Sequence, residues 1–254
     1  MTRAREARLA HGRGECAEAV VLRAFMEHVE WLAPAWVFGK RAGGRKVCFD
    51  GQHVVPEGEL WVFTEAATAT HASQSGTRLG TYVAGIPGIE LFGALKERAK
   101  ALRINPGGYA EDELHLAPES YETLGEWASG VAVERVIPYG EGGLSAAAIE
   151  RLRAHHHFHL PLFEDGRMIS KAGHGGFEQP GVVCVTPDAY DNFEAAIGDE
   201  LRAQLTRQVI GADALALHLR KQKIDAVYFN PMGPAGSVVL PIAAFEGLTA
   251  VAAE

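Results

Sequence analysis

The chain has 254 residues, 47% of them hydrophobic and 22% charged, which is enough apolar side chain for one large core or two small ones and excludes a disordered composition. Its formal net charge of -8 argues against a protein that lives on nucleic acid, whose binding face is basic, and suits a basic partner. Three cysteines, Cys16, Cys48 and Cys184, have the spacing of neither a zinc site nor a disulfide framework; with no secretory signal and no membrane-spanning run, the expectation is a cytoplasmic protein with reduced thiols.

Residues 1–14 carry Arg3, Arg5, Arg8 and Arg13 with no apolar core behind them and read as a flexible tail. Val21, Phe25, Val29 and Leu32 fall at helical spacing and predict an opening helix. A hairpin is expected next, from Trp36-Val37-Phe38 to Val47-Cys48-Phe49 around a turn containing Gly43-Gly44. Leu60-Trp61-Val62-Phe63 is a buried strand, and Thr64 stands where it can cap the following helix. A short strand then leads to a helix over 87–99. The strand Leu102-Arg103-Ile104 stops at Asn105-Pro106-Gly107, and a last strand and helix carry Leu114, Leu116, Tyr121 and Leu124.

Residues 131–144, ending in Gly140-Glu141-Gly142-Gly143, read as a linker, with Ser145 the N-cap of a helix holding Ile149 and Leu152. Asp165-Gly166 is a hairpin signal between Leu162-Phe163 and Met168-Ile169. The strand Val182-Val183-Cys184-Val185 ends at Thr186, and Pro187 suits the first helical position. A short strand leads to a helix over 212–223, which precedes the strand Val227-Tyr228-Phe229, and that strand stops at Asn230-Pro231.

The second half repeats the first in order and at nearly constant offset. Trp31-Leu32-Ala33-Pro34 lies opposite Phe158-His159-Leu160-Pro161, Thr64 opposite Thr186, and Asn105-Pro106 opposite Asn230-Pro231. Leu114, Leu116, Tyr121 and Leu124 match Val238, Leu240, Phe245 and Leu248. The fold class expected is therefore α/β (α+β): two tandem pseudo-symmetric units, 15–130 and 145–254, each a small mixed β-sheet packed with helices.

With these residues the chain resembles the SseB family, named for enhanced serine sensitivity. The N-terminal domain of that family carries an opening helix, a strand ending in Phe-Thr, and a later apolar strand ending in Asn-Pro-Gly. Here these are Phe63-Thr64 and Ile104-Asn105-Pro106-Gly107. The second unit departs from the pattern, with Val185-Thr186-Pro187 and Asn230-Pro231-Met232, and looks like a second N-terminal-type domain rather than the family's distinct C-terminal one. The resemblance implies no catalytic residues; it implies protein binding, in a bacterial setting of secretion or toxin neutralisation.

The residues themselves offer few chemistries. His155, His157 and His159 share one face if the stretch is extended, and with His174 they are the candidate metal ligands. Gly173 to Gly176 reads as a loop, since no G-x-S-x-G elbow accompanies it. Asp188, Asp191 and Glu194 read as a solvated helix face. Trp61 belongs to the core, whereas Trp36 and Trp127 are expected to be partly exposed and are the candidate protein-binding residues. Thr64, Asn105, Pro106, Thr186, Asn230 and Pro231 are assigned to turn and cap chemistry, Asn bonding its own backbone after the strand. The function expected is a non-catalytic protein-interaction module with another protein as partner and no cofactor. Two alternatives stand beside it: a metal-dependent hydrolase using the histidines, and a small-molecule sensor with a pocket between the units.

Overall fold

The computed structural model describes residues 2–38, 45–49, 53–95, 101–107, 113–137, 144–170, 176–234 and 236–245. Helices and small mixed sheets alternate, the α+β class, and the chain divides into two compact units, Met1–Ala128 and Ser129–Glu254. Among the described residues no helix is long and apolar enough to cross a membrane.

Unit 1 opens with α1 (Arg3–Gly12) in place of the flexible tail expected. Thr2 caps it by accepting from the N–H of Arg5, and ion pairs Arg3–Glu27 and Arg5–Glu65 tie it down. Of the arginines read as part of a flexible tail, Arg3 and Arg5 thus meet carboxylates distant in sequence, while Arg13 pairs with Glu15. Helix α2 (Glu18–Glu27) buries Val21 and Phe25 as the helical spacing requires, but it stops before Val29, and Leu32 lies in β1 (Trp31–Pro34). Ala35–Phe38, expected as a hairpin strand, is a short helix, α3.

The remainder of the unit is β2 (Arg45–Phe49), β3 (His53–Val54), β4 (Glu59–Val62), α4 (Ala66–Gln74), β5 (Thr77–Arg78), β6 (Gly80–Ile86), α5 (Gly88–Ala94), β7 (Ala101–Ile104) and β8 (Leu114–Leu116). Strand β6 lies between β1 and β2, antiparallel to both. Strand β4 is parallel to β7, which pairs antiparallel with β8, and a bridge between Leu32 and Phe63 joins the two sheets. Phe25, Trp31 and Phe92 meet edge-on or stacked at 5.2–6.0 Å on one side. Trp61, Phe63, Ala69, Ala72 and Tyr82 form the core on the other side, where Tyr82 donates to the carbonyl of Trp61.

Helix α6 (Ser120–Val136) runs through the boundary of the units; residues 131–136, expected as linker, are its last turns, with Val131, Val133 and Glu134 buried. In unit 2, α7 (Ala146–Ala154) begins at Ser145, whose hydroxyl accepts from the N–H of Ala148 as expected of an N-cap. Then come β9 (Phe158–Phe163), β10 (Pro180–Val183), α8 (Pro187–Ala196), α9 (Asp199–Arg202), β11 (Leu205–Ile210), α10 (Ala212–Lys221), β12 (Ala226–Phe229), β13 (Val238–Pro241) and a 3-10 turn at Ile242–Phe245. Strand β10 is parallel to β12, which pairs antiparallel with β13; β11 is antiparallel to β9, and a bridge between His159 and Cys184 joins the sheets. The Asp165-Gly166 turn forms as expected, Gly166 at φ 78° and Phe163 bonded to Arg167. Phe158, Leu160 and Leu162 point into a core with Leu152, Leu215 and Leu219, while Cys184, Tyr190 and Phe193 form a second core on the opposite face.

Candidate functional site

Among the described residues β11 is one edge strand of unit 2, β13 the other. The residues of β11 from Leu205 to Ile210 pair in unbroken register with Phe163 to Phe158 of β9. His159 exchanges both backbone bonds with Cys184, at 2.8 and 2.9 Å, so its N–H and C=O face away from β11. The alternation of an antiparallel ladder then assigns Phe158, Leu160 and Leu162 to bonding with Ile210, Gln208 and Thr206. The backbone groups of Leu205, Arg207 and Val209 consequently point outward, and no described strand pairs with them. Thr206, Arg207, Gln208 and Val209 are exposed, Val209 at 46%.

One side of this edge is built around Arg207. Its guanidinium lies over the Tyr190 ring, 4.7 Å from the centroid, donates from Nε to His159 Nδ1 at 3.0 Å, and pairs with Asp191 at 3.2 Å. Because Nδ1 accepts that bond, the neutral His159 carries its proton on Nε2. Helix α8 runs alongside, presenting Asp188, Asp191 and Glu194 at three-residue steps. Burial pushes the Tyr190 hydroxyl up to about 12, with Glu194 adding to the shift, and pushes the Cys184 thiol up further. Both groups are therefore protonated at neutral pH. A buried neutral thiol is no nucleophile, and a histidine whose Nδ1 is engaged by arginine is poorly placed as a base. What the edge offers is backbone hydrogen bonding, one aromatic-backed cation and a flanking row of carboxylates.

The described candidate metal ligands, His155, His157 and His159, are not gathered. His155 ends α7 fully buried, its Nδ1 2.8 Å from Ser129 Oγ and its Nε2 3.1 Å from the carbonyl of His157, which accepts from it. Its ring packs edge-on against Phe158, on the α7 side of the sheet, whereas His159 faces Tyr190 and Arg207 on the other side. The single shared face expected for an extended stretch fails because the chain leaves a helix at His155 and becomes a strand only at Phe158. His157 is half-buried between them, and His174 lies outside the described residues. Among the described residues no group of three His, Cys, Asp or Glu side chains is placed to hold a metal ion.

The two tryptophans separate. Trp36 is 57% exposed on α3. Trp127 is 2% exposed, under the guanidinium of Arg23, so the expectation of a partly exposed Trp127 is corrected. Its place at the end of unit 1 suggested a surface, but it lies on the inward face of the long helix α6.

The threonine and asparagine motifs do different work from that expected. Asn105 and Asn230 both adopt left-handed backbone, at φ 51° and 45°, where asparagine is tolerated. Instead of bonding its own backbone, each reaches the neighbouring parallel strand: Asn105 Oδ1 accepts from the N–H of Thr64, and Asn230 Oδ1 from that of Val185, both at 2.9 Å. Asn105 thus holds Thr64, whereas Asn230 holds Val185, the residue before Thr186. Neither threonine hydroxyl caps its helix: Thr64 Oγ1 bonds Asn105, and Thr186 Oγ1 donates to Glu134. Pro187 does open α8, and Pro106 and Pro231 are buried in the turns after the strands.

Sequence reasoning passed over Arg207 and Tyr190. Strand β11 carries a polar run, Thr206-Arg207-Gln208, which gives no apolar signal because the strand is an edge. Comparison with protein-family models, with curated proteins and with solved structures gives no match.

Proposed function

We propose that the chain is a non-catalytic protein-interaction module of the SseB type, built from two copies of one α+β unit and serving a bacterial secretion or immunity role. The observation that carries the reading is the open edge of β11. In unit 1 the strand next to β1, β6, is covered on its outer side by β2; in unit 2 the strand next to β9 has no described strand outside it. An uncovered strand is a ready template for pairing with another chain.

The two-copy reading is supported by bonds that recur in kind. Asn105 N–H donates to the carbonyl of Val62, and Asn230 N–H to that of Val183, in each case beside the side-chain clamp on the next residue but one. Pro34 lies opposite Tyr82, and Pro161 opposite Arg207. The SseB assignment rests on the Phe-Thr and Asn-Pro-Gly residues of unit 1.

Affinity capture with the full chain from the lysate of its own cell, with the eluate quantified for protein and metal, tests the reading. One stoichiometric protein partner supports it. Stoichiometric metal without a protein partner, or turnover by the purified chain alone, overturns it.

A further inference from the structure

Resting on that reading, we infer that the outer edge of β11 receives an extended, basic segment of another protein, which adds to the sheet as a strand. The backbone groups of Arg207 and Val209 supply two outward donor–acceptor pairs at the spacing an added strand requires.

Unit 1 shows what kind of segment fits beside such a strand. Its β2 reads Arg45-Lys46-Val47-Cys48-Phe49, with Val47 opposite Tyr82 and Arg45 opposite Ala84. Tyr82 and Arg207 both sit opposite the proline of the inner strand, so the equivalent basic side chain on β11 falls opposite Val209. In unit 2 the chain cannot supply this strand from the same place. After the Asp165-Gly166 turn, Met168 bridges to Leu162 and Ser170 to Gly181, which sends the returning segment inward between β9 and β10.

Charge decides the sign of the occupant. Side chains at odd-numbered positions of β11 point to the α8 side, as Arg207 over Tyr190 and Leu205 against the core of Tyr190 and Phe193 show. Asp188, Asp191 and Glu194 stand on α8 on that side; of the cations described there, Arg207 pairs with Asp191, and Arg202 is turned to the carbonyl oxygens of Glu194 and Ile197 and pairs with Asp199. A strand with lysine or arginine on the α8-facing positions meets these carboxylates; an acidic strand is repelled. A second copy of the chain, itself of net charge -8 overall, brings the same carboxylates to the same face, which disfavours self-pairing.

The test is titration of the full chain with a capped peptide alternating lysine with valine, matched to β11 in length, and with its glutamate counterpart. The lysine peptide binds, more weakly as salt rises, and the glutamate peptide does not. Val209→Pro removes an outward N–H and leaves the bonds to β9 intact, so it lowers affinity by about tenfold or more while the unfolding midpoint holds. The double variant Asp188→Asn, Glu194→Gln weakens the lysine peptide without proline's effect on the backbone. Equal binding of the two peptides, or binding unchanged by Val209→Pro, overturns the inference. So does dimerisation of the wild-type chain that Val209→Pro abolishes, since the occupant is then a second copy. A natural partner captured equally by wild type and Val209→Pro sinks this site while leaving the interaction module standing.

Discussion

Asn230 donates from Nδ2 to the buried carboxylate of Glu134 at 2.8 Å, and no such charged acceptor meets Asn105, whose Nδ2 donates to Thr64 Oγ1 at 3.0 Å. Each asparagine follows one strand of a parallel pair, Asn105 after β7 beside β4 and Asn230 after β12 beside β10, and the two sites differ in what stands behind the clamp. Asn105→Ala leaves the N–H of Thr64 buried without its acceptor and places alanine in left-handed backbone, a loss of about 2–3 kcal/mol. Asn230→Ala does the same to Val185 and also takes a donor from a buried carboxylate, so its loss is larger, about 3–5 kcal/mol. Urea unfolding of the two variants checks the order. Equal losses would mean that Glu134 is fully served by its other donors, Thr186 among them.

Two glycines mark where backbone approaches backbone. A Cβ on Gly130 of α6 would stand 2.2 Å from the carbonyl oxygen of Val185, and one on Gly88 would stand 1.9 Å from that of Phe25. Neither neighbour is the end of a flexible side chain, so relief requires an element to shift. Gly130→Ala and Gly88→Ala should each cost about 3 kcal/mol or more despite alanine's better helix propensity. Gly93→Ala and Gly125→Ala, with open space at the added Cβ, serve as controls and should be neutral or stabilising. Thermal unfolding of the four variants separates the two classes.

Left-handed residues that are neither glycine nor asparagine give a prediction of opposite sign. Helix α10 ends in a Schellman arrangement: Ile224 N–H bonds the carbonyl of Leu219, Lys223 N–H bonds that of Arg220, and Lys223 sits at φ 56°. Met232, 65% exposed, sits two residues after Asn230 at φ 64°, and Gly107, two residues after Asn105, at φ 69°. Lys223→Gly and Met232→Gly should each stabilise the chain by about 1 kcal/mol, read as a raised melting temperature. If Met232 belongs to a binding surface, its glycine variant gains stability and loses partner affinity together.

The parts of the fold legible in the sequence are those where one local rule decides. The buried strand through Trp61, the Asp165-Gly166 turn, the Ser145 cap and Pro187 at the start of α8 each follow from a short-range pattern that the structure keeps. The misreadings came where a distant partner decides. The arginines of α1 needed Glu27 and Glu65 to become a held helix, and Trp127 needed the length of α6 to be turned inward. The asparagine clamps could not be seen as clamps because their acceptors and donors lie some 40 residues or more away along the chain. A short strand before the helix at 212–223 was legible, and β11 stands there; that its outer side is open was not, since no local pattern tells which strand lies at an edge.

Among the described residues, His28 and His218 have pKa values lowered in the folded chain. His28 Nε2 lies 2.7 Å from the carbonyl oxygen of Thr64, which only accepts, so the neutral ring is protonated there; burial holds its pKa below the usual value, opposed by the Thr64 bond. His218 is lowered by burial and by Lys221. Gln222 gives its oxygen to the N–H of Met168 and its amide hydrogens to the carbonyl of Gly166 and to His218 Nε2, so that nitrogen must accept. Protonating it sets two donors against each other. In the unfolded chain both histidines take up a proton near pH 6.5, before the folded chain does. Their contribution is therefore complete above that value and is lost as pH falls through the window beneath it. Denaturant midpoints should drop between pH 7.5 and pH 5.5. His218→Gln, which keeps a polar side chain but does not titrate, should flatten that drop; a slope unchanged in this variant would move the effect to His28 alone.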